Sequence, residues 1–399
     1  MDHQSVPPPG PDFNVVFIGA GGINFGSEEG PWNHSFRLEH KLGIRIKVVG
    51  LIDPVPLVRQ RVLAEKRASF VRTAYADTRE YDTLEEYLAD LNNDSRLRPD
   101  AVIVGCPPQF RGSMEPGRDI EVQLSEKLPG VGIFVEKPVT SGNVEEAKQV
   151  AQALEARGGI CSVAYMFRYL AVVNKVKEII EANNLHVMAT VARYVSAYPK
   201  ISKQHWWTKS MSGGPVVEQG THFADLCRYF GGNVDIDSVQ ATSLEWNSRV
   251  GKLSAMPFSE DHIPEHERVP RVTSATWRYE SGAVGSFFHA IVMQGTKYDT
   301  MLEIYADGYQ FKIVDPYNAP ELYVRTPLDD QEDKITFPGD DPYYGEISAF
   351  IDAIDANKKG GKVENIRSTF ADACATYELT WAIRQASERA LEKAVTRVA

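Results

Sequence analysis

Apolar residues fall into short blocks along the first 160 positions and into longer alternating runs after them. Asn14 to Ile18 is apolar and β-rich and runs straight into glycines at 19, 21 and 22, the pattern of a strand entering a tight turn. Helical spacing over 33–42, the apolar run Ile46 to Ile52 closing at Asp53, and helical spacing over 56–67 complete a strand–helix–strand unit. Ala101 to Val104 and Gly132 to Val135 are apolar runs too short for helices and bounded by Gly or Pro, as buried parallel strands are. Helical spacing recurs over 83–91, 119–128 and 144–156. This alternation predicts an α/β fold with a doubly wound parallel sheet.

The rhythm changes near residue 160. After the strand Ile160 to Ala164 and one helix over 172–182, the runs 187–195, 272–279, 283–292 and 300–306 look like strands of a large, mostly antiparallel open sheet. The polar, Pro-containing stretch 246–271 reads as a long loop or insertion. Helical spacing returns over 343–356 and 368–390. The chain therefore divides into a disordered leader over 1–12, a dinucleotide-binding domain over 13–164, and an α+β substrate domain over 165–399 closed by C-terminal helices within 343–395.

Composition narrows the partners. A chain of 399 residues, 43% apolar and 24% charged, is long enough for two packed domains. A net charge of −11 argues against nucleic acid and anionic membranes, which select for basic surfaces, and leaves small molecules. No run of 18 apolar residues occurs, and the leader MDHQSVPPPGPDF has no hydrophobic segment, so no membrane association and a cytoplasmic location are expected. Four scattered cysteines without CxxC spacing read as reduced thiols. The nine histidines lack metal-ligand spacing, and no GxSxG elbow is present.

Gly19-Ala20-Gly21 supplies the first two glycines of the GxGxxG fingerprint, with Gly22 and Ile23 continuing the turn. These let a backbone approach a pyrophosphate closely. Asn24 stands where the third glycine belongs, and an insertion over 24–32 lengthens the interval to Asp53. A carboxylate at Asp53 accepts hydrogen bonds from ribose hydroxyls and repels a 2′-phosphate, which favours NAD; Arg59 leaves NADP open. The lesser alternative for Asp53 is a strand-end turn residue before Pro54.

Val135-Glu136-Lys137-Pro138, followed by Gly213-Gly214-Pro215-Val216-Val217-Glu218-Gln219-Gly220-Thr221-His222-Phe223-Ala224-Asp225, resembles the Gfo/Idh/MocA oxidoreductases. The resemblance implies a Rossmann domain, an α/β second domain whose open sheet forms homodimers or homotetramers, a nicotinamide cofactor, and a sugar, polyol or cyclic diol substrate. The turn at Pro107-Pro108, Arg168 and Trp206-Trp207 fall where that family places similar residues. It therefore implies cofactor contacts by Pro107, Glu136 and Lys137, and substrate contacts by Arg168, Trp207, Glu218 and His222. Two departures stand out: Glu218 where many relatives have Asp, and Arg111 where many carry His.

Hydride leaving a carbon must be matched by a proton leaving its oxygen, so alcohol–ketone interconversion needs a cation and an acid/base group. Lys137, at the carboxyl end of a strand, suits the first role by stabilising a developing alkoxide. His222 suits the second, since imidazole exchanges protons near neutral pH. If the segment is helical, Glu218, His222 and Asp225 share a face, and Glu218 orients the ring or binds substrate hydroxyls; Asp225 fits capping or pairing as well as catalysis. Two other readings are compatible: a redox-neutral NAD-dependent enzyme that cleaves glycosidic bonds, and a nonenzymatic sensor of nucleotide or sugar.

Overall fold

The computed structural model describes residues 10–28, 30–363 and 366–398. Positions 1–9 of the expected leader lie outside the described residues, and 10–12 precede the first strand without regular structure. The chain forms two units, one of residues up to 166 together with 341–372, the other of 167–340 together with the residues from 373 on.

The first unit holds β1 (Phe13–Ile18), β2 (Ile46–Ile52), β3 (Arg79–Tyr81), β4 (Ala101–Val104), β5 (Gly132–Val135) and β6 (Cys161–Val163) in the order β3-β2-β1-β4-β5-β6. All pairs are parallel. The expected doubly wound Rossmann sheet is present, with β4 and β5 buried along their whole length. Successive crossovers run one way from β1 to β2 and the other way to β4, so the two turns after β1 and β4 diverge at the carboxyl edge of the sheet. That divergence opens the crevice where such sheets bind ligands.

The helices of this unit follow local signals. Asn33 caps α1 (His34–Leu42) by accepting the Phe36 N–H, and Pro56 opens α2 (Pro56–Arg67). Asn143 caps α3 (Val144–Arg157), which ends on Gly158 in the left-handed region. The expected domain boundaries need correction at their C-terminal end. The helix Pro342–Lys358, read from sequence as part of the second domain, packs on the first. Its Phe350, Ile351 and Ile354 lie in one buried cluster with Phe17, Leu38 and Phe134, and the rings of Phe134 and Phe350 are 5.5 Å apart. Charge fixes the same contact: Arg37, Lys41 and Arg45 recur every four residues and pair with Asp341, Asp352 and Asp355. Periodicity gave the helix its length but carried no information about which sheet its apolar face would cover.

The second unit holds an eight-stranded sheet in the order β14-β13-β12-β11-β7-β10-β9-β8. Its strands are β7 (Val187–Ala197), β8 (Val234–Leu244), β9 (Val272–Tyr279), β10 (Val284–Met293), β11 (Asp299–Ala306), β12 (Tyr309–Val314), β13 (Glu321–Thr326) and β14 (Asp329–Thr336). All neighbours are antiparallel except β7 and β10. β9 alternates strictly, burying Thr273, Ala275, Trp277 and Tyr279. One face is covered by α4 (Ala171–Ala182) and α5 (Thr221–Gly231), whose buried residues include Phe223 and Leu226. β14 is polar and exposed except at Ile335, which is half-buried, and its acidic residues blunt the edge against pairing with another chain. No helix among the described residues is long and apolar enough to cross a membrane.

Phe350→Ala removes a ring from a core that joins the returning helix to β5. It is expected to cost the first unit about 3 to 5 kcal/mol, read as a lowered midpoint of the urea transition with nucleotide present and absent.

Candidate functional site

The nucleotide side is built where β1 and β4 part. Gly19 has φ +94°, and a Cβ there would stand 3.0 Å from the Cys106 nitrogen and 3.1 Å from the Gly105 carbonyl carbon. Only glycine allows this approach. Gly21 is exposed, and a Cβ on it would meet nothing within 4 Å, so its backbone faces open space. Gly22 and Ile23 open a single helical turn, Gly22–Phe25. Asn24, in place of the third glycine, is fully buried, and its Nδ2 donates to the carbonyls of Gly19 (2.7 Å) and Ile18 (3.3 Å). A side-chain clamp thus fixes the turn that a third glycine would have let pack more closely.

Asp53 follows β2. Its Oδ2 accepts the Ala20 N–H at 2.8 Å and its Oδ1 the Val55 N–H at 2.9 Å. Each oxygen keeps a second lone pair for a ribose hydroxyl, so both the turn role and the ligand role raised from sequence are compatible with this geometry. Arg59 is buried, donates to the Asp53 carbonyl, and lies 2.6 Å from Asp82 and 3.6 Å from Glu80. Its charge is met by the protein's own acids. An open glycine backbone beside an acidic strand end fits a dinucleotide with an unphosphorylated ribose.

The Lys137 turn follows β5 in the same unit. The Glu136 N–H donates to the Val104 carbonyl at 3.0 Å, tying the turn to β4. Glu136, expected to touch the cofactor, is buried, with one carboxylate oxygen 2.7 Å from His34 Nε2 and the other accepting the Lys137 N–H at 3.2 Å. Pro107 is exposed after β4. Arg111 is fully buried and donates to the carbonyls of Cys106 (3.0 Å) and Val139 (2.9 Å). It laces the two turns together, which leaves it no surface for substrate. Glu121, 3.9 Å from Arg111, is also fully buried, and burial raises its carboxyl above the ordinary range despite that neighbour.

In the second unit, Arg168 and Asp225 form a buried two-pronged ion pair at 2.8 and 2.5 Å. Thr376 donates to the same carboxylate, and the Arg168 guanidinium lies over the Tyr229 ring. This arrangement positions elements, and pairing is the role that the structure gives Asp225. The condition under which Glu218, His222 and Asp225 share one helix is not met. The turn Pro215–Glu218 stops at Gln219 and Gly220, and α5 begins at Thr221; a Cβ at Gly220 would stand 2.8 Å from both the Phe287 ring and the Val216 carbonyl. His222 and Asp225 therefore share a helix that Glu218 does not.

Glu218 accepts the Trp206 indole N–H at 2.7 Å. Trp207, expected against substrate, is fully buried with Tyr198, Ile201, Val269 and Ile291, and its N–H donates to the Ile201 carbonyl. That expectation is corrected: both tryptophans are buried in one cluster, and Trp206 turns its indole N–H to Glu218 while Trp207 bonds to the backbone of Ile201. Sequence reasoning also missed three tyrosines and a histidine. Tyr317 stands 6.2 Å from the His222 ring and 5.9 Å from Tyr194, which lies 5.9 Å from Tyr298 and stacks on His289 at 5.2 Å. Burial first, then Tyr317, Tyr298 and Glu218, push the Tyr194 hydroxyl well above its ordinary value. Burial alone brings His289 down to about 3. Tyr298 and Tyr317 sit in turns next to strands, where an aromatic with no periodicity is the only signal.

Comparison with known proteins agrees with this layout. A model described as an oxidoreductase family with an NAD-binding Rossmann fold matches residues 13–165, and an oxidoreductase C terminal domain matches 168–309. The Schizosaccharomyces pombe uncharacterized protein UNK4.17 is 50% identical over 384 residues, covering 96% of this chain and 94% of its own. A dehydrogenase from Chromobacterium violaceum shares the fold with a TM-score of 0.70 at 16% identity, covering 98% of this chain and 100% of its own. The WlbA dehydrogenase from Bordetella pertussis, solved in complex with NADH and UDP-GlcNAcA, has a TM-score of 0.65 at 16% identity, covering 94% of this chain and 97% of its own. The chain belongs to the Gfo/Idh/MocA family of NAD(P)-dependent oxidoreductases.

Proposed function

We propose that this protein is an NAD-preferring dehydrogenase that interconverts a secondary alcohol and a ketone on a sugar, polyol or cyclic diol. The observation that carries the reading is the surrounding of His222: an imidazole within ring contact of Phe167 and Tyr317, with Tyr194, Tyr298 and Glu218 close to the same tyrosine cluster. Tyrosine faces suit the C–H surface of a sugar, and their hydroxyls and the Glu218 carboxylate suit its hydroxyl groups. The nicotinamide supplies the two-electron exchange when bound. His222 takes or returns the hydroxyl proton, Lys137 stabilises charge on the substrate oxygen, and Glu218 binds a neighbouring hydroxyl. Gly19, Gly21, Gly22, Ile23, Asp53 and Pro107 hold the dinucleotide, while Glu136 supports Lys137. Arg168 acts as a positioning residue through Asp225. A fold relative crystallised with NADH and a sugar nucleotide supports the same substrate chemistry.

We place the protein in the cytoplasm as a homo-oligomer. Val191, Val284 and Phe288 are exposed on neighbouring strands of the second sheet, an apolar stripe of the kind that a second copy covers. Phe288→Glu is expected to lower the mass seen by sedimentation velocity toward that of one chain; an unchanged mass would remove this face from the assembly.

The direct test follows nucleotide absorbance over a panel of sugars, inositols, cyclic diols and their keto forms. His222→Asn and Lys137→Met are each expected to lower kcat by about 100-fold or more, while nucleotide still binds to the histidine variant. Turnover kept within threefold in both variants would sink the assignment. Tight nucleotide binding with no net reduction across the panel would favour the redox-neutral or sensing alternatives. Asp53→Asn keeps the bond to Ala20 and removes the charge, so the preference for NAD over NADP, measured as a ratio of dissociation constants, is expected to shrink by about tenfold.

A further inference from the structure

The turn that carries Lys137 is held from behind by a side chain without a part in the proposed chemistry. His34 opens α1 and is fully buried, its ring edge-on to Phe134 at 5.1 Å. Its Nε2 lies 2.7 Å from Glu136 Oε1. A carboxylate only accepts, so Nε2 carries the hydrogen of this bond. Nδ1 is buried and has no hydrogen-bond partner among the described residues. The ring thus makes one polar bond, to the residue before Lys137.

The other oxygen of that carboxylate accepts the Lys137 backbone N–H. Glu136 is therefore held on three sides, by His34, by the peptide of Lys137, and by its own N–H on the Val104 carbonyl. The next turn of α1 extends the support. Arg37 grips both oxygens of Asp341 at 3.0 and 3.1 Å and lies over the ring of Tyr343. Burial, and then the charge of Glu136, push the Tyr343 hydroxyl up. A carboxylate this buried costs stability unless its bonds are made, and the bond from His34 is the one that reaches it from another element.

We propose that His34 is a positioning residue for Lys137: it fixes the Glu136 carboxylate, which in turn fixes the peptide from which the lysine side chain departs. The proposal rests on the role given above to Lys137. His34 sits directly after the inserted stretch that separates the glycine turn from Asp53, so the insertion that lengthens the nucleotide loop also delivers the support.

The test uses the full chain with His34→Leu, which removes the donor, and His34→Gln, which keeps one. Exchange of the Lys137 amide hydrogen, read by mass spectrometry at residue resolution, reports the Glu136 bond directly. In the leucine variant it is expected to speed up about tenfold, with kcat falling about tenfold and KM for nucleotide moving less than about twofold. The glutamine variant is expected to restore exchange and kcat to within about threefold of wild type. Glu136→Gln, whose amide oxygen cannot serve both donors as well, gives a second route should the leucine variant fail to fold, and it is expected to raise exchange as well. Unchanged exchange in the leucine variant, or equal behaviour of leucine and glutamine, overturns the proposal. A wild-type enzyme inactive on every panel member overturns the dehydrogenase reading instead, while the exchange pattern still decides whether His34 holds the turn.

Discussion

The approach of the turn after β1 to the turn after β4 is the constraint on which the nucleotide side depends. Gly19, at φ +94°, lies so close to the Gly105–Cys106 backbone that a side chain there would be strained and would push that backbone back by a few tenths of an ångström. One bond joins the two turns, Gly105 N–H to the Ile18 carbonyl, while Gly19 N–H to the Ile52 carbonyl and Ala20 N–H to the Asp53 carboxylate tie the first of them to β2 and the residue after it. The crevice exists because those backbones are pinned below it. Asn24 then fills the space beneath Gly105, so that one buried amide replaces the packing that a third glycine would have given.

The same economy of internal bonds runs through the rest of the unit. Arg111 joins the turns after β4 and β5, His34 braces Glu136, and Arg59 is neutralised beside Asp53. Each is a charged or polar side chain that a surface reading would send toward ligand and that the fold uses on itself. Buried donors without acceptors are costly, so these bonds also keep the backbone of the site from shifting. The open groups that remain, Gly21 and the spare lone pairs of Asp53, are the ones suited to a dinucleotide.

In the second unit the buried Arg168–Asp225 pair performs a comparable task for α5. Asp225 lies one turn after His222 on the same helix, so a carboxylate locked by a guanidinium sets the rotation of that helix and with it the direction of the imidazole. Breaking one partner of such a pair is expensive because the other charge is left buried. Around His222 the fold collects aromatic rings from β7 and from turns far apart in sequence.

The strand blocks, the glycine turn, Asp53, the Lys137 segment and the Gly213–Asp225 motif were all legible along the chain, because each is a local pattern: a period of two or of 3.6, a turn residue, or a contiguous motif. The fold class followed from their alternation. β3, three residues long, and β14, with Ile335 as its one apolar residue, left no periodic trace, and β8, β12 and β13 needed their neighbours to be recognised. Only tertiary structure decided that the helix Pro342–Lys358 returns to the first unit, that Trp206 and Trp207 are both core with the Trp206 N–H on Glu218, that Arg168 and Arg111 bond inside the protein, and that His34 stands behind Lys137. Those outcomes depend on which partner an apolar face or a charge finds across tens to hundreds of residues, and no local spacing encodes that choice.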